Sequence, residues 1–259
     1  MSVPTGSRIF DAGAAGYAAT MGPVLRPVAQ RVVELAELGP GEHVLDIGTG
    51  TGSAAAAAVG DGRTVVGIDG APGMIEIAAR SVPGATFKVM DFSRLEFPDG
   101  LFHALVASHS LLFADDKVTT LAEWLRVTRP GGRLALSVPG PGDLTPTVVY
   151  REIYERHGIS TADRYPTAER LADGAAAAGW SNIRTLADPT VTIRLDGEEL
   201  FRAWRSLGAR GEATRDWTPE QHETLTREML AATPRDADGA YVMPFGALFL
   251  TARKAGPDR

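Results

Sequence analysis

One stretch constrains the chain more than any other: His43-Val44-Leu45-Asp46-Ile47-Gly48-Thr49-Gly50-Thr51-Gly52. A short apolar run carries one acid, and three glycines follow at every second position. An alanine-rich segment, 53–59, comes next. The pattern predicts a buried strand, a tight loop and the start of a helix. Glycine has no Cβ and tolerates positive φ, so such a loop lets backbone approach a ligand closely. The N–H groups of the helix start would face the same ligand.

The rest of the chain can build a full core around this loop. Its 259 residues suit one large α/β domain with insertions, or a domain with a small cap. The formal net charge of −6 argues against a general nucleic-acid binder, whose phosphate contacts need clustered positive charge. The absence of cysteine removes disulfides, thiolate zinc sites and cysteine nucleophiles together. No basic segment followed by an apolar signal run opens the chain, and no stretch is long enough to span a bilayer. A soluble cytoplasmic protein is the expectation.

Residues 1–20 read as a Gly/Ala-rich arm, either loose or a lid that brings Tyr17 inward. Residues 23–38 show Leu25, Val28, Val32 and Leu35 at helical spacing. Beyond the glycines, 63–68 is apolar and β-branched and ends at Asp69. A helix follows at 74–80, then strands at 86–90, 101–108 and 133–138, with a helix at 117–128. Such alternation predicts a parallel sheet covered on both faces, with ligands beyond the carboxyl ends of its strands. The second half is less regular: helices at 148–157, 167–178, 198–207 and 219–232, a broken strand at 183–195, and a last strand at 241–252, bulged near Pro244 and Gly246.

Two nucleotide ligands compete for the loop. A nicotinamide or flavin site would show G-x-G-x-x-G around a pyrophosphate. Here the order is Asp46-x-Gly48-x-Gly50-x-Gly52, and an acid before the glycines suits a cationic ligand better. This stretch resembles motif I of the class I S-adenosylmethionine-dependent methyltransferases. Asp69 at the end of the second strand, Asp91-Phe92 after the third, and Arg129-Pro130-Gly131-Gly132 before the fifth follow in the same order. The resemblance covers the first half of the chain and is similar to the ubiquinone- and menaquinone-biosynthesis and small-molecule subgroup.

The resemblance implies an α/β, Rossmann-like sheet of seven mostly parallel strands with helices on both faces. It implies a single domain: a lid and helix over 1–38, a cofactor-binding core over 42–138, and substrate-cap insertions at 144–161 and 196–240. It places S-adenosyl-L-methionine against Asp46, Gly48, Thr49, Gly50, Gly52, Asp69, Gly70, Met74, Asp91, Phe92 and Ser108. Asp69 would accept from the ribose hydroxyls, Asp91 from the adenine amine, with Phe92 near the ring. Asp46 would orient the loop or meet the cofactor ammonium. Met74 would flank the adenine or pack in the core. His109 is a candidate general base, its unperturbed pKa lying near neutrality, or else a wall of the cofactor site. Tyr17 is the candidate contact from the lid.

The implied reaction is direct methyl transfer to a small-molecule acceptor, with no metal, no membrane and no nucleic acid; a homodimer is left open. Ser108-His109-Ser110-Leu111 stands where the amino-methylating nucleic-acid enzymes carry Asn-Pro-Pro-Tyr or Asp-Pro-Pro-Tyr. Trp204, Trp217, Phe201 and Tyr241 either line the acceptor pocket or fill the cap core. A non-methylating protein on the same scaffold and a nicotinamide-dependent oxidoreductase are the alternatives.

Overall fold

The computed structural model describes residues 11, 13–140, 145–160, 166–206, 214 and 216–256. The expected arm over 1–20 and cap insertions over 144–161 and 196–240 lie partly outside these. Five parallel strands are laid down in the first half: β1 (His43–Ile47), β2 (Thr64–Asp69), β3 (Thr86–Val89), β4 (Phe102–Ser108) and β5 (Thr128–Pro139). β6 (Ser181–Asp188) and β9 (Ala247–Arg253) complete a seven-stranded sheet of order β3-β2-β1-β4-β5-β9-β6, with β9 antiparallel to both its neighbours. β7 (Thr192–Leu195) and β8 (Tyr241–Pro244) form a separate two-stranded ribbon.

Successive side chains on a strand face opposite sides, and the strands here are apolar on both. Val44, Val106 and Ala135 join one core, which holds helices α1 (Ala14–Leu35) and α2 (Ser53–Ala58). Leu45, Leu105 and Leu134 join the other. That second core holds Trp124 of α4 (Lys117–Val127) and Leu171 of α6 (Ala168–Ala177); α3 (Pro72–Ser81) lies between β2 and β3 in sequence. Each fully buried Leu or Val contributes about 2 kcal/mol by leaving water. The strand order runs outward from β1 through β2 to β3, then restarts at β4. That reversal puts the switch point of the sheet between β1 and β4.

Four expectations are corrected. α1 begins at Ala14, so Tyr17 sits on a helix rather than on a loose arm. The helix read over 23–38 starts nine residues earlier, so both Pro23 and Pro27 lie inside it. A proline costs a helix about 3 kcal/mol; here burial of Met21, Leu25, Val28 and Val32 along one stripe outweighs it. The expected break in 183–195 falls between β6 and β7, whereas 241–252, read as one bulged strand, divides between β8 and β9. Phe245 and Gly246 carry the chain from ribbon to sheet, their N–H groups both bonded to Val191 O. Arg129-Pro130-Gly131-Gly132 forms an irregularity inside β5 rather than a turn before it: Phe102 pairs with Thr128, but Ala104 pairs with Arg133. Lys254 holds it, exchanging backbone bonds with Gly131 and Gly132 while its Nζ donates to Leu125 O and Thr128 O at the end of α4.

α5 (Pro146–Arg156), α7 (Glu198–Ser206) and α8 (Pro219–Ala232) stand with the ribbon. Phe201, Trp204 and Tyr241 are buried there against Tyr150 and Met243. These three aromatics fill the cap core. Trp217 is half-buried, tilted between the rings of His157 and His222.

Candidate active site

The three loop glycines have positive φ, +67°, +54° and +90° at Gly48, Gly50 and Gly52, but they serve different ends. A Cβ built on Gly48 would lie 2.3 Å from Ser110 Cβ, so its bareness lets the β1 loop and the β4 loop meet. A Cβ on Gly50 would meet nothing within 4 Å. Gly50 is therefore the point at which the loop backbone faces open space. Its N–H donates to Asp69 Oδ2 at 2.9 Å.

Asp46 is buried on β1. Its Oδ2 accepts from Thr49 Oγ1 at 2.6 Å and from the Ala55 N–H at 2.9 Å. The acid thus braces the loop and ties it to the first turn of the short helix α2. Burial pushes its pKa up to about 7, against the bonds from Thr49 and Ala55, and the Asp69 charge adds to the rise. Thr49 reaches Asp46 because Gly67 leaves room; a Cβ there would lie 2.8 Å from Thr49 Oγ1. Sequence reasoning missed Gly67, although a lone glycine inside a β-branched strand signals close approach.

Asp69, at the end of β2, accepts from Ala71 N–H through Oδ1 and from Gly50 N–H through Oδ2, both at 2.9 Å. Burial raises its pKa, and the Ala71, Gly50 and Gly70 N–H groups oppose the rise. A carboxylate has about four acceptor sites, so these N–H bonds leave capacity for hydroxyl donors. Met90 N–H donates to Asp69 O and joins the end of β3 to the end of β2. Just beyond, Asp91 Oδ1 accepts from Ser93 N and Oγ. Phe92 meets Trp124 edge-on at 6.4 Å, and its carbonyl accepts from Trp124 Nε1. Met74 is 2 % exposed, packed with Ala14 and Ala71 beneath the start of α1.

Tyr17, Leu25, Asp46, Thr49, Gly50 and Ser108 all border one cleft at the switch point, with a cavity volume of about 30 Å³. Burial, then the nearby Asp69 charge, holds the Tyr17 phenol far above its ordinary range. It is a neutral hydroxyl, not a base. Ser108 Oγ lies 3.5 Å from Ser137 Oγ. His109 follows it with φ +61°, its Nδ1 2.8 Å from Ser137 Oγ and its ring stacked on Phe245 at 5.5 Å. Burial pushes the imidazole down to about 3. Ser137 and Phe245, which hold His109, carried no signal in the sequence. Among the described residues no group of His, Asp and Glu is placed to hold a metal ion, and no helix is long and apolar enough to cross a membrane.

The donor set fits S-adenosylmethionine in chemistry: an acid at each of three strand ends and a bare backbone position between two of them. The arrangement defines a methyltransferase of the Rossmann-like class. The family model described as "Methyltransferase domain" matches residues 45–136. Nocamycin O-methyltransferase of Saccharothrix syringae is 30% identical over 222 residues, which span 76% of this chain and 79% of that protein. Demethylmenaquinone methyltransferase of Beutenbergia cavernae is 44% identical over 98 residues, 38% of this chain and 41% of that one. Among solved structures, the phosphoethanolamine N-methyltransferase 2 of Haemonchus contortus shares the fold, with a TM-score of 0.64 and 18% identity over 98% of this chain and 60% of that chain. So does the [4+2]-cyclase SpnF, with a TM-score of 0.57 and 23% identity over 89% of this chain and 81% of that chain.

The chain belongs to the class I S-adenosylmethionine-dependent methyltransferases, of the small-molecule type. It is an enzyme that methylates a small-molecule acceptor, with S-adenosyl-L-methionine as its cofactor.

Proposed function

We propose that this methyltransferase acts on oxygen, with the cofactor held on the Asp46–Gly52 loop and the acceptor brought in from the cap side. The observation that carries the site is the meeting of the Gly48 loop with Ser108–Ser110 at the switch point. Oxygen as the methylated atom is supported by the relative named an O-methyltransferase, which this chain matches over most of its length.

Bound S-adenosylmethionine supplies a methyl group already activated by its sulfonium. The protein's part is placement, which by itself yields a large share of rate enhancement. In this reading Asp69 holds the ribose hydroxyls, with Gly70 donating to its carboxylate. Asp91 and Phe92 hold the adenine. Gly48, Thr49, Gly50 and Gly52 shape the loop, and Asp46 keeps it in place. Met74 supports the adenine side from beneath α1. Ser108 borders the cofactor cleft, and His109 stands on the acceptor side.

The N-terminal part of α1 is the lid of this proposal. A cavity of about 30 Å³ holds roughly one water. Tyr17 and the turns around it narrow the cleft, and in this proposal they swing aside as the cofactor enters. The cap insertions over 144–161 and 196–240 supply the acceptor's surroundings.

The test is calorimetric titration with S-adenosylmethionine and NAD, followed by detection of S-adenosylhomocysteine with acceptors bearing phenol, enol or carboxyl oxygen. Methylation of amines alone would overturn oxygen as the target. The same reading places the enzyme in the cytoplasm, and sedimentation would decide whether it forms a homodimer.

A further inference from the structure

His109 combines three features. Its backbone is left-handed, at φ +61°, in a residue that is not glycine. Such strain persists only where the surroundings impose it, and it clusters at functional sites. Its imidazole is clamped, with Ser137 on Nδ1 and Phe245 stacked on one face. Its Nε2 is buried with no hydrogen-bond partner among the described residues. The neighbouring Ser110 Oγ is buried without a partner among the described residues too. Buried polar atoms are almost always satisfied, so two unsatisfied ones on consecutive residues at the end of β4 need a reason.

Ser137 Oγ lies 2.8 Å from His109 Nδ1 and 3.5 Å from Ser108 Oγ. A hydroxyl both donates and accepts, so the short contact is a hydrogen bond in either tautomer of the neutral imidazole. Where Ser137 donates to Nδ1, the ring hydrogen sits on Nε2, and that nitrogen donates. This is the tautomer the proposal below requires and its test reads.

We propose that His109 binds the oxygen of the methyl acceptor as a hydrogen-bond donor through Nε2–H, and that the acceptor is an ionised oxygen acid: a carboxylate, an enolate or a phenolate. This rests on the methyltransferase reading and names its substrate class. A carboxylic acid, or a phenol or enol acidic enough to be ionised near neutral pH, has already lost its proton to solvent and needs no base on the protein. It needs donors where it is buried, because an unpaired buried anion is costly and N–H···O⁻ bonds are strong. His109, held neutral by burial, is such a donor. Ser110 offers a second hydroxyl. Ser137 is a positioning residue, acting through the tautomer it imposes.

Nitrogen-15 NMR of histidine-labelled protein holding S-adenosylhomocysteine reads this directly, with His109→Gln assigning the signal. The expected spectrum shows His109 as the Nε2–H tautomer between pH 5 and 8, with a downfield shift of that proton on adding benzoate or 4-nitrophenolate. The two probes separate a carboxylate from a phenolate acceptor. Ser137→Ala should give mixed tautomers. His109→Gln, whose amide also donates, should keep probe affinity within threefold, and His109→Ala should lose tenfold or more. An Nδ1–H tautomer, an imidazolium, or no response to either probe at its solubility limit overturns the proposal. Failure to bind S-adenosylhomocysteine at all would instead strike the cofactor assignment.

Discussion

The N–H of Gly50 donates to the carboxylate of Asp69 at 2.9 Å, so the glycine loop after β1 is tied to the acid that ends β2. Gly50 is also the loop position whose missing side chain leaves open space. One bond thus holds the acid beside the bare backbone that borders the cleft.

Asp69→Ala should lower affinity for S-adenosylhomocysteine roughly tenfold to a hundredfold, as removal of charge-assisted hydrogen bonds typically does. Calorimetric titration measures it. Unchanged affinity would mean that Asp69 does not hold the ribose.

Gly48→Ala adds a Cβ at φ +67° and 2.3 Å from Ser110 Cβ. The two loops must part, with a loss of about 2 kcal/mol or more, in the range of overpacking plus backbone strain. Urea unfolding reports the stability. A Gly48→Ala, Ser110→Gly double variant should recover part of it, since the crowding is between those two positions.

Asp46 titrates near 7 in the folded state and near 4 when unfolded. Between these values the folded chain holds a proton that the unfolded chain has lost. Its contribution to stability is therefore full below about pH 4 and is lost as pH rises through 7. Asp46→Asn keeps an acceptor for Thr49 and Ala55 but does not titrate. Relative to this variant, the wild-type protein without cofactor should lose on the order of 4 kcal/mol between pH 4 and pH 8. Parallel pH profiles for the two proteins would refute the assignment.

A disulfide tests the lid. A Cβ on Gly73 would lie 3.3 Å from Ala14 Cβ, close to the spacing a disulfide spans. The chain has no other cysteine to interfere. The Ala14→Cys, Gly73→Cys protein should bind S-adenosylhomocysteine poorly when oxidised and normally when reduced. Equal affinity in both states would show that α1 need not move.

Arg133 joins three segments. It donates to Glu42 at 2.5 and 3.0 Å, to Glu37 O at 2.7 Å and to Ala36 O, linking the end of α1 to β1 and β5. Both side chains are mostly buried, at 13 % and 14 % exposure. Arg133→Met should cost about 3 kcal/mol, because it strands the Glu42 carboxylate. Removing both, with Glu42→Gln, should cost less than the single change. Thermal unfolding would compare them.

The chain's order of strands, its strand-end acids and its glycine loop were legible in the sequence, because each is a local pattern. Alternation and run length are set by what one strand buries, and an acid after an apolar run marks the end of that strand. The S-adenosylmethionine site could be read from Asp46 to Asp91 for that reason. Tertiary structure decided the rest. Tyr17 became helical because burial of Met21, Leu25, Val28 and Val32 carried α1 through Pro23. Phe201, Trp204 and Tyr241 went to the cap core because α5, α7 and the ribbon converge on them. Asp46 became a brace rather than a free charge once Gly67 admitted Thr49. Ser137 and Phe245, 28 and 136 residues beyond His109, hold it in place. Contacts between distant residues follow from sheet order and register, which no local pattern encodes.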